Sequence, residues 1–166
     1  NRYLFMALAL NNKDELLYKM LNHYETPGYG FQIKQGATTL TEQWDPRQGS
    51  SWNHLMMGQI DEWFFKRLAG IQNMPGTNGM RHLLISPTLV GDITCVHGST
   101  TTLYGKVEVT FDNKGLYAKI PVGCDAEIVI GSNFRMKVGS GVHYFFFKKS
   151  GDSTHIYKMI DSKKKK

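Results

Sequence analysis

Near residue 75 the spacing of apolar residues switches from the helical period of about 3.6 to the strand period of two, so no single regular architecture can hold the whole chain. Upstream of that point Tyr3 to Leu10 is apolar almost all round, the pattern of a helix covered on several sides. Lys13 to His23 carries Leu16, Leu17, Met20 and Leu21 on one face, and the pair reads as a helical hairpin turning at Asn11-Asn12. A third helix is predicted from Ser51 to Leu68, with Met56, Ile60, Trp63, Phe64 and Leu68 at helical spacing, Trp63 and Phe64 in the core, and Gly70 near its end. Glu62, on the same helix, reads as a surface or loop-anchoring carboxylate.

Downstream, Val107, Val109 and Phe111 alternate with polar neighbours, as do Leu116, Ala118 and Ile120, and Phe134, Met136 and Val138. Turn residues punctuate these runs at Asp112 to Gly115, Pro121 to Asp125 and Gly139 to Gly141. The expectation is an antiparallel all-β unit of roughly seven or eight short strands, a β-sandwich or jelly roll. The fold class is therefore α+β by segment. Residues 1–75 form a helical portion, 76–162 a β-sandwich domain and 163–166 a basic tail.

The helices are too few to bury their own faces, because an all-round apolar helix needs partners on every side. With no initiator Met ahead of the apolar run at Tyr3, the chain reads as a piece cut from something longer, with the missing helices upstream. Between the second and third helices, Tyr24 to Ser50 holds several glycines and prolines yet also Tyr29, Phe31, Ile33, Leu40 and Trp44. That much apolar matter suits an ordered loop over a cavity better than a solvated linker.

Charge and cysteine content narrow the classes further. The net charge is +6, but four lysines at 163–166 supply most of it and leave +2 for the rest. A nucleic-acid surface needs a basic stripe with aromatic residues for stacking, and neither is visible. No apolar run is long enough to span a bilayer, and the opening lacks the basic flank and cleavage site of a signal peptide. Cys95 and Cys124 are too few for a disulfide scaffold or a zinc site, and read as buried free thiols or a single disulfide. His97, His143 and His155 lack metal-ligand spacing and read as structural; no metal or other cofactor is expected.

The loop carries the chemistry. Gly36-Ala37-Thr38-Thr39-Leu40-Thr41-Glu42, Trp44-Asp45, Ser51-Trp52-Asn53-His54, Gly58, Glu62-Trp63 and Leu68-Ala69-Gly70-Ile71 together resemble the last part of the catalytic barrel of bacterial α-L-rhamnosidases of glycoside hydrolase family 78. Thr101 to Val107, Ile120 to Gly123, Ala126 to Ile130 and Val138 to Val142 resemble the C-terminal sandwich of the same enzymes. The resemblance implies that the helices belong to an (α/α)6 barrel and that the reaction is an inverting hydrolysis of terminal rhamnose. It matches Glu42 to the general base and His54 to a histidine that contacts the sugar. Trp44 and Trp52 offer flat apolar faces for the C–H side of a pyranose.

Short threonine hydroxyls beside Glu42 can hydrogen-bond its carboxylate and keep it ionised. Asp45 suits turn bonding. Two features depart from the family pattern: Thr41 stands where a tryptophan usually precedes the base, removing an aromatic wall, and His54 follows Glu42 by only twelve positions, a trimmed and more open loop. The implied partners are a rhamnose-containing glycoside or polysaccharide and the remainder of the barrel. Two other readings are a non-catalytic carbohydrate-binding or accessory β-sandwich module, and a different sugar-active barrel such as a lyase. The lyase would need basic groups for a uronate, and the loop offers only Lys34 and Arg47.

Overall fold

A computed structural model describes residues 2–48, 51–151 and 153–159. The basic tail at 163–166 lies outside the described residues. The chain divides into two compact units, residues 1–64 with 90–92, and residues 65–89 with 93–166.

In the first unit α1 (Arg2–Leu10) and α2 (Asp14–Leu21) form the expected hairpin. Asn12 makes the turn in the left-handed region at φ 55°, a conformation asparagine tolerates better than most residues. The single apolar face of α2 turns Leu17 fully inward, and α1 contributes Phe5 to the same interior. Tyr3 and Leu10 of α1 remain 85% and 79% exposed, so the all-round apolar helix has only one side covered here. The segment 90–92 closes on α2 through hydrogen bonds from Tyr18 Oη to Asp92 and from Gly91 N to Glu15 Oε1. A Cβ at Gly91 would lie 2.2 Å from the Tyr18 ring, so only glycine permits that approach.

The expected long connection contains a short helix, α3 (Tyr29–Lys34). Two glycines let it begin tight against the preceding chain, because a Cβ at Gly28 or Gly30 would lie 2.2 or 2.7 Å from the His23 carbonyl oxygen.

The third predicted helix is shorter and later than the spacing implied. Ser51 to His54 are not helical; a 3-10 turn covers Leu55–Met57, α4 covers Ile60–Trp63, and a wide π turn follows at Phe64–Leu68. The cause is competition for backbone groups. His54 N donates to Leu40 O at 2.8 Å and Ser51 O accepts from Glu42 N at 3.0 Å, so both ends of that segment are committed to another stretch of chain. Trp63 is buried as expected, whereas Phe64 is 44% exposed. Adjacent residues on a helix point about 100° apart, and one covered side cannot take both.

The second unit is a two-layer sandwich. One sheet has the order β1 (Ile71–Asn73), β2 (His82–Ile85), β6 (Asp125–Ile130), β7 (Phe134–Val138). The other has the order β3 (Cys95–Thr102), β4 (Gly105–Asp112), β5 (Gly115–Ile120), β8 (Gly141–Ser150), β9 (Ser153–Lys158). The five-stranded sheet is antiparallel throughout, as its alternation predicts. The four-stranded sheet is mixed, since β2 and β6 pair in parallel.

Inward residues at period two meet between the layers: Val107, Val109, Leu116, Ala118, Ile120 and Phe145 from one sheet, Leu83, Ile85, Ala126 and Ile128 from the other. Each fully buried Val, Leu, Ile or Phe contributes roughly 1.5–3 kcal/mol of transfer free energy. The turn joining β4 to β5 is held by Asp112 Oδ1, which accepts from Lys114 N at 2.7 Å and Gly115 N at 2.9 Å. Both cysteines are free thiols. Cys124 is buried as expected, but Cys95 is exposed, because it opens β3 on the side of the sheet that faces away from the core.

Candidate active site

The acidic loop lies in the first unit and is built from the backbone outward. Leu40 to Glu42 run beside Ser51 to His54, joined by the two backbone hydrogen bonds that stop the third helix from starting early. The next carbonyl, Gln43 O, accepts from Thr41 Oγ1 at 2.6 Å and from Gln32 Nε2 at 3.1 Å. Thr41 is fully buried and Gln32 is 3% exposed, so these bonds anchor the loop to α3 from beneath. Glu42 is therefore fixed on both sides of its own Cα.

A hollow of about 420 Å³ opens beside this loop, lined by Glu42, Trp44 and Asp45 together with Thr26, Gln48 and Met57. Trp44 stands edge-on to Tyr29, with ring centroids 5.1 Å apart at 90°. Tyr29 Oη donates to Met57 O at 2.6 Å, which ties α3 to the 3-10 turn through the same wall. Burial, with the Asp61 charge adding to it, pushes the Tyr29 phenol far above its ordinary range, so it stays protonated and remains a donor.

Asp45 has a different environment from Glu42. Its Oδ1 accepts from Arg47 N at 3.1 Å and Arg47 Nε at 2.8 Å, and its Oδ2 accepts from Arg47 Nη2 at 2.8 Å. The bidentate guanidinium holds the carboxyl below the usual carboxylate range. Asp45 thus performs the turn bonding its position suggested and stays charged.

The sequence-predicted residues separate into two groups. Glu42 and Trp44 line one hollow. His54 and Trp52 are not among the residues that line it. His54 caps the 3-10 turn, its Nδ1 accepting from Met56 N at 3.1 Å. That bond requires an unprotonated Nδ1, so the neutral ring carries its proton on Nε2, a donor suited to a hydroxyl oxygen. Trp52 is 48% exposed.

Thr41 corrects two sequence expectations. Its hydroxyl bonds the Gln43 carbonyl two residues on, the local geometry short hydroxyl side chains favour, and so does not serve the Glu42 carboxylate. Its burial also places that position under the loop, so its identity changes the anchoring of the loop and not a wall of this hollow. Thr26 and Met57 carried no signal in the sequence, because each reaches the hollow from another stretch of chain, whereas Gln48 arrives through the local turn, bonded to Asp45.

In the second unit the histidines have local partners. His97 Nδ1 lies 2.9 Å from Thr110 Oγ1, His143 Nε2 lies 2.8 Å from Gly139 O, and His155 sits beside the Tyr157 ring. Among the described residues no group of three or more His, Cys, Asp or Glu side chains converges as a metal site would require.

A unit of short helices around an acidic loop, followed by a two-layer β-sandwich, sets the class: a helical domain joined to a C-terminal β domain. Residues 1–68 match the family model described as the bacterial alpha-L-rhamnosidase 6 hairpin glycosidase domain, and residues 70–143 match the bacterial alpha-L-rhamnosidase C-terminal domain. The chain belongs to the bacterial α-L-rhamnosidase family. It is 29% identical over 140 residues to an alpha-L-rhamnosidase of Streptomyces avermitilis, covering 76% of this chain and 13% of that protein. An alpha-L-rhamnosidase of Formosa agariphila is 31% identical over 129 residues, covering 70% of this chain and 14% of that protein. Among solved structures, the alpha-L-rhamnosidase from Dictyoglumus thermophilum superposes with a TM-score of 0.80 at 26% identity, over 89% of this chain and 20% of that one. The chain thus spans well under a fifth of the length of these curated relatives.

Proposed function

We propose that this chain is the C-terminal part of an inverting α-L-rhamnosidase, in which Glu42 is the general base that activates water against terminal α-L-rhamnose. The helical unit up to Phe64 supplies the end of the catalytic barrel, and the strands from β1 onward supply the sandwich. The observation that carries the reading is the shared hollow of Glu42 and Trp44 in the helical unit of a chain from this family. A carboxylate and an indole at one concavity combine a proton acceptor with a surface for the apolar face of a pyranose.

Inversion needs two carboxyl groups about 6.5–9.5 Å apart, so that a water fits between base and sugar. Glu42 takes the proton from that water. The general acid comes from the remainder of the barrel, since Asp45 is held as a carboxylate by Arg47 and cannot deliver a proton near neutral pH. His54 donates from Nε2 to a sugar hydroxyl, and Trp44 and Trp52 pack against the ring and its 6-methyl group.

In the full-length enzyme, Glu42→Gln is expected to lower kcat on an aryl rhamnoside by roughly two to four orders of magnitude with little change in substrate binding. Near-normal turnover by that variant refutes the assignment. This chain by itself is expected to hydrolyse no rhamnoside, because it lacks the acid.

A further inference from the structure

The five-stranded sheet carries a hollow on the face turned away from the core. Antiparallel register places Tyr117 beside Tyr144 on β5 and β8, and Phe146 beside Tyr157 on β8 and β9, all on the side opposite the buried Ala118 and Phe145. Tyr144, Phe146 and Tyr157 are 43%, 45% and 54% exposed. Elsewhere that face follows the ordinary rule for a solvated sheet, with Glu108 ion-paired to Lys106 and Lys119. A cluster of aromatic rings on adjacent strands breaks the rule and marks a binding surface.

The shape and chemistry of the cluster select the ligand. Between the rings and the β4–β5 turn lies a concavity of about 180 Å³, lined by Thr110, Asp112, Gly115, Tyr117, Tyr144 and Phe146. The Tyr117 and Tyr144 rings stand 5.3 Å apart, tilted by 57°, and form an angled wall in place of a flat patch. Gly115 must be glycine, since a Cβ there would lie 2.1 Å from Phe145 O, so β5 and β8 approach closely at this end of the hollow. Asp112 and Lys114 also line the hollow, and Asp112 commits Oδ1 to two turn amides, which immobilises its carboxylate. A small hollow that combines aromatic rings with an immobilised carboxylate acceptor fits a single sugar ring, whose C–H face is apolar and whose rim is hydroxyl donors. A protein partner would need a far larger contact, about 800 Å² a side.

We infer that this face of the sandwich is a second carbohydrate-binding site, taking one pyranose unit of a rhamnose-bearing polysaccharide and holding the enzyme on its polymeric substrate. The sugar-ring class rests on the hollow, and the rhamnose-bearing identity rests on the proposed function.

Affinity electrophoresis of the full chain tests both parts, in gels containing either a rhamnose-bearing or a rhamnose-free polysaccharide. Retardation in the rhamnose-bearing gel is expected. Tyr144→Ala and Phe146→Ser should each weaken it about tenfold or more, equivalent to about 1.4 kcal/mol, with circular dichroism unchanged. Leu103→Ala should leave it intact. No retardation in any gel, or equal retardation by both aromatic variants, overturns the site and leaves the role of Glu42 standing. Retardation only by the rhamnose-free polymer overturns the rhamnose-bearing identity and counts against the proposed function. Self-association that Tyr144→Ala abolishes, without sugar binding, overturns the site in favour of a protein contact.

Discussion

The indole Nε1 of Trp63 donates a hydrogen bond to Oδ1 of Asp14 at 2.8 Å, both side chains buried and 49 residues apart in sequence. The bond ties α4 to the first turn of α2, where the helix dipole also favours a carboxylate. It gives the first unit a specific polar contact beside the buried Leu17 and Phe5, distinct from the one that Thr41 and Gln32 make under the loop.

Trp63→Phe keeps most of the ring's packing but removes that donor from a buried carboxylate. The expected cost is about 1–3 kcal/mol, read as a lower urea midpoint at unchanged m-value. An unchanged midpoint would show that the pair does not contribute to folding.

Thr41→Val is nearly isosteric and leaves the residue buried, but it deletes the hydroxyl bonded to Gln43 O. About 1 kcal/mol of stability should be lost, since Gln32 still serves the same carbonyl. In the full-length enzyme kcat should fall more than KM rises, because the substitution loosens the backbone on either side of Glu42 without touching the hollow.

The Asp45–Arg47 pair sets a pH dependence of known sign. The folded-state pKa of Asp45 lies below its unfolded value, so the pair stabilises the loop above the unfolded carboxyl pKa of about 3.9 and loses that contribution as pH falls through the lower folded value. An NMR titration of the Asp45 carboxyl carbon should give a midpoint below that of a model peptide, and Arg47→Gln should return it to the ordinary range. The pair is solvent-facing on the Arg47 side, so raising the salt concentration should shrink the shift.

The two thiols should differ sharply in reactivity. Cys95 is exposed, whereas Cys124 is buried with its Sγ 3.6 Å from Met80 O, and burial pushes its pKa up. A thiol reagent at neutral pH should modify Cys95 rapidly and Cys124 only in denaturant. Cys95→Ser should then leave almost no fast-reacting thiol.

The α1–α2 hairpin and the strands β4, β5 and β7 were legible in the sequence. Side-chain direction follows backbone geometry residue by residue, so Leu17, Val107, Val109, Leu116 and Ala118 announce their burial through period alone. The acidic loop was legible for another reason, its blocks of residues around Glu42, Trp44 and His54. Other features were invisible because they depend on groups distant in sequence. Ser51 to His54 follow a helical pattern, yet their backbone is taken by Leu40 and Glu42. The parallel pairing of β2 with β6 joins Leu83 to Ala126 and leaves no trace in either strand's alternation.

The order of residues, by itself, determined where the chain is helical and where it is extended, which faces are apolar, and that a carboxylate stands in a loop. Tertiary structure alone decided that Thr41 lies beneath that loop, that Met57 and Thr26 join Glu42 and Trp44 at one hollow, and that Tyr144 and Phe146 join Tyr117 at another on the outward face of the five-stranded sheet. Periodicity is imposed by each residue's own backbone dihedrals, whereas these meetings depend on which distant segments satisfy one another's hydrogen bonds and apolar surface, a choice made only when the whole chain is packed.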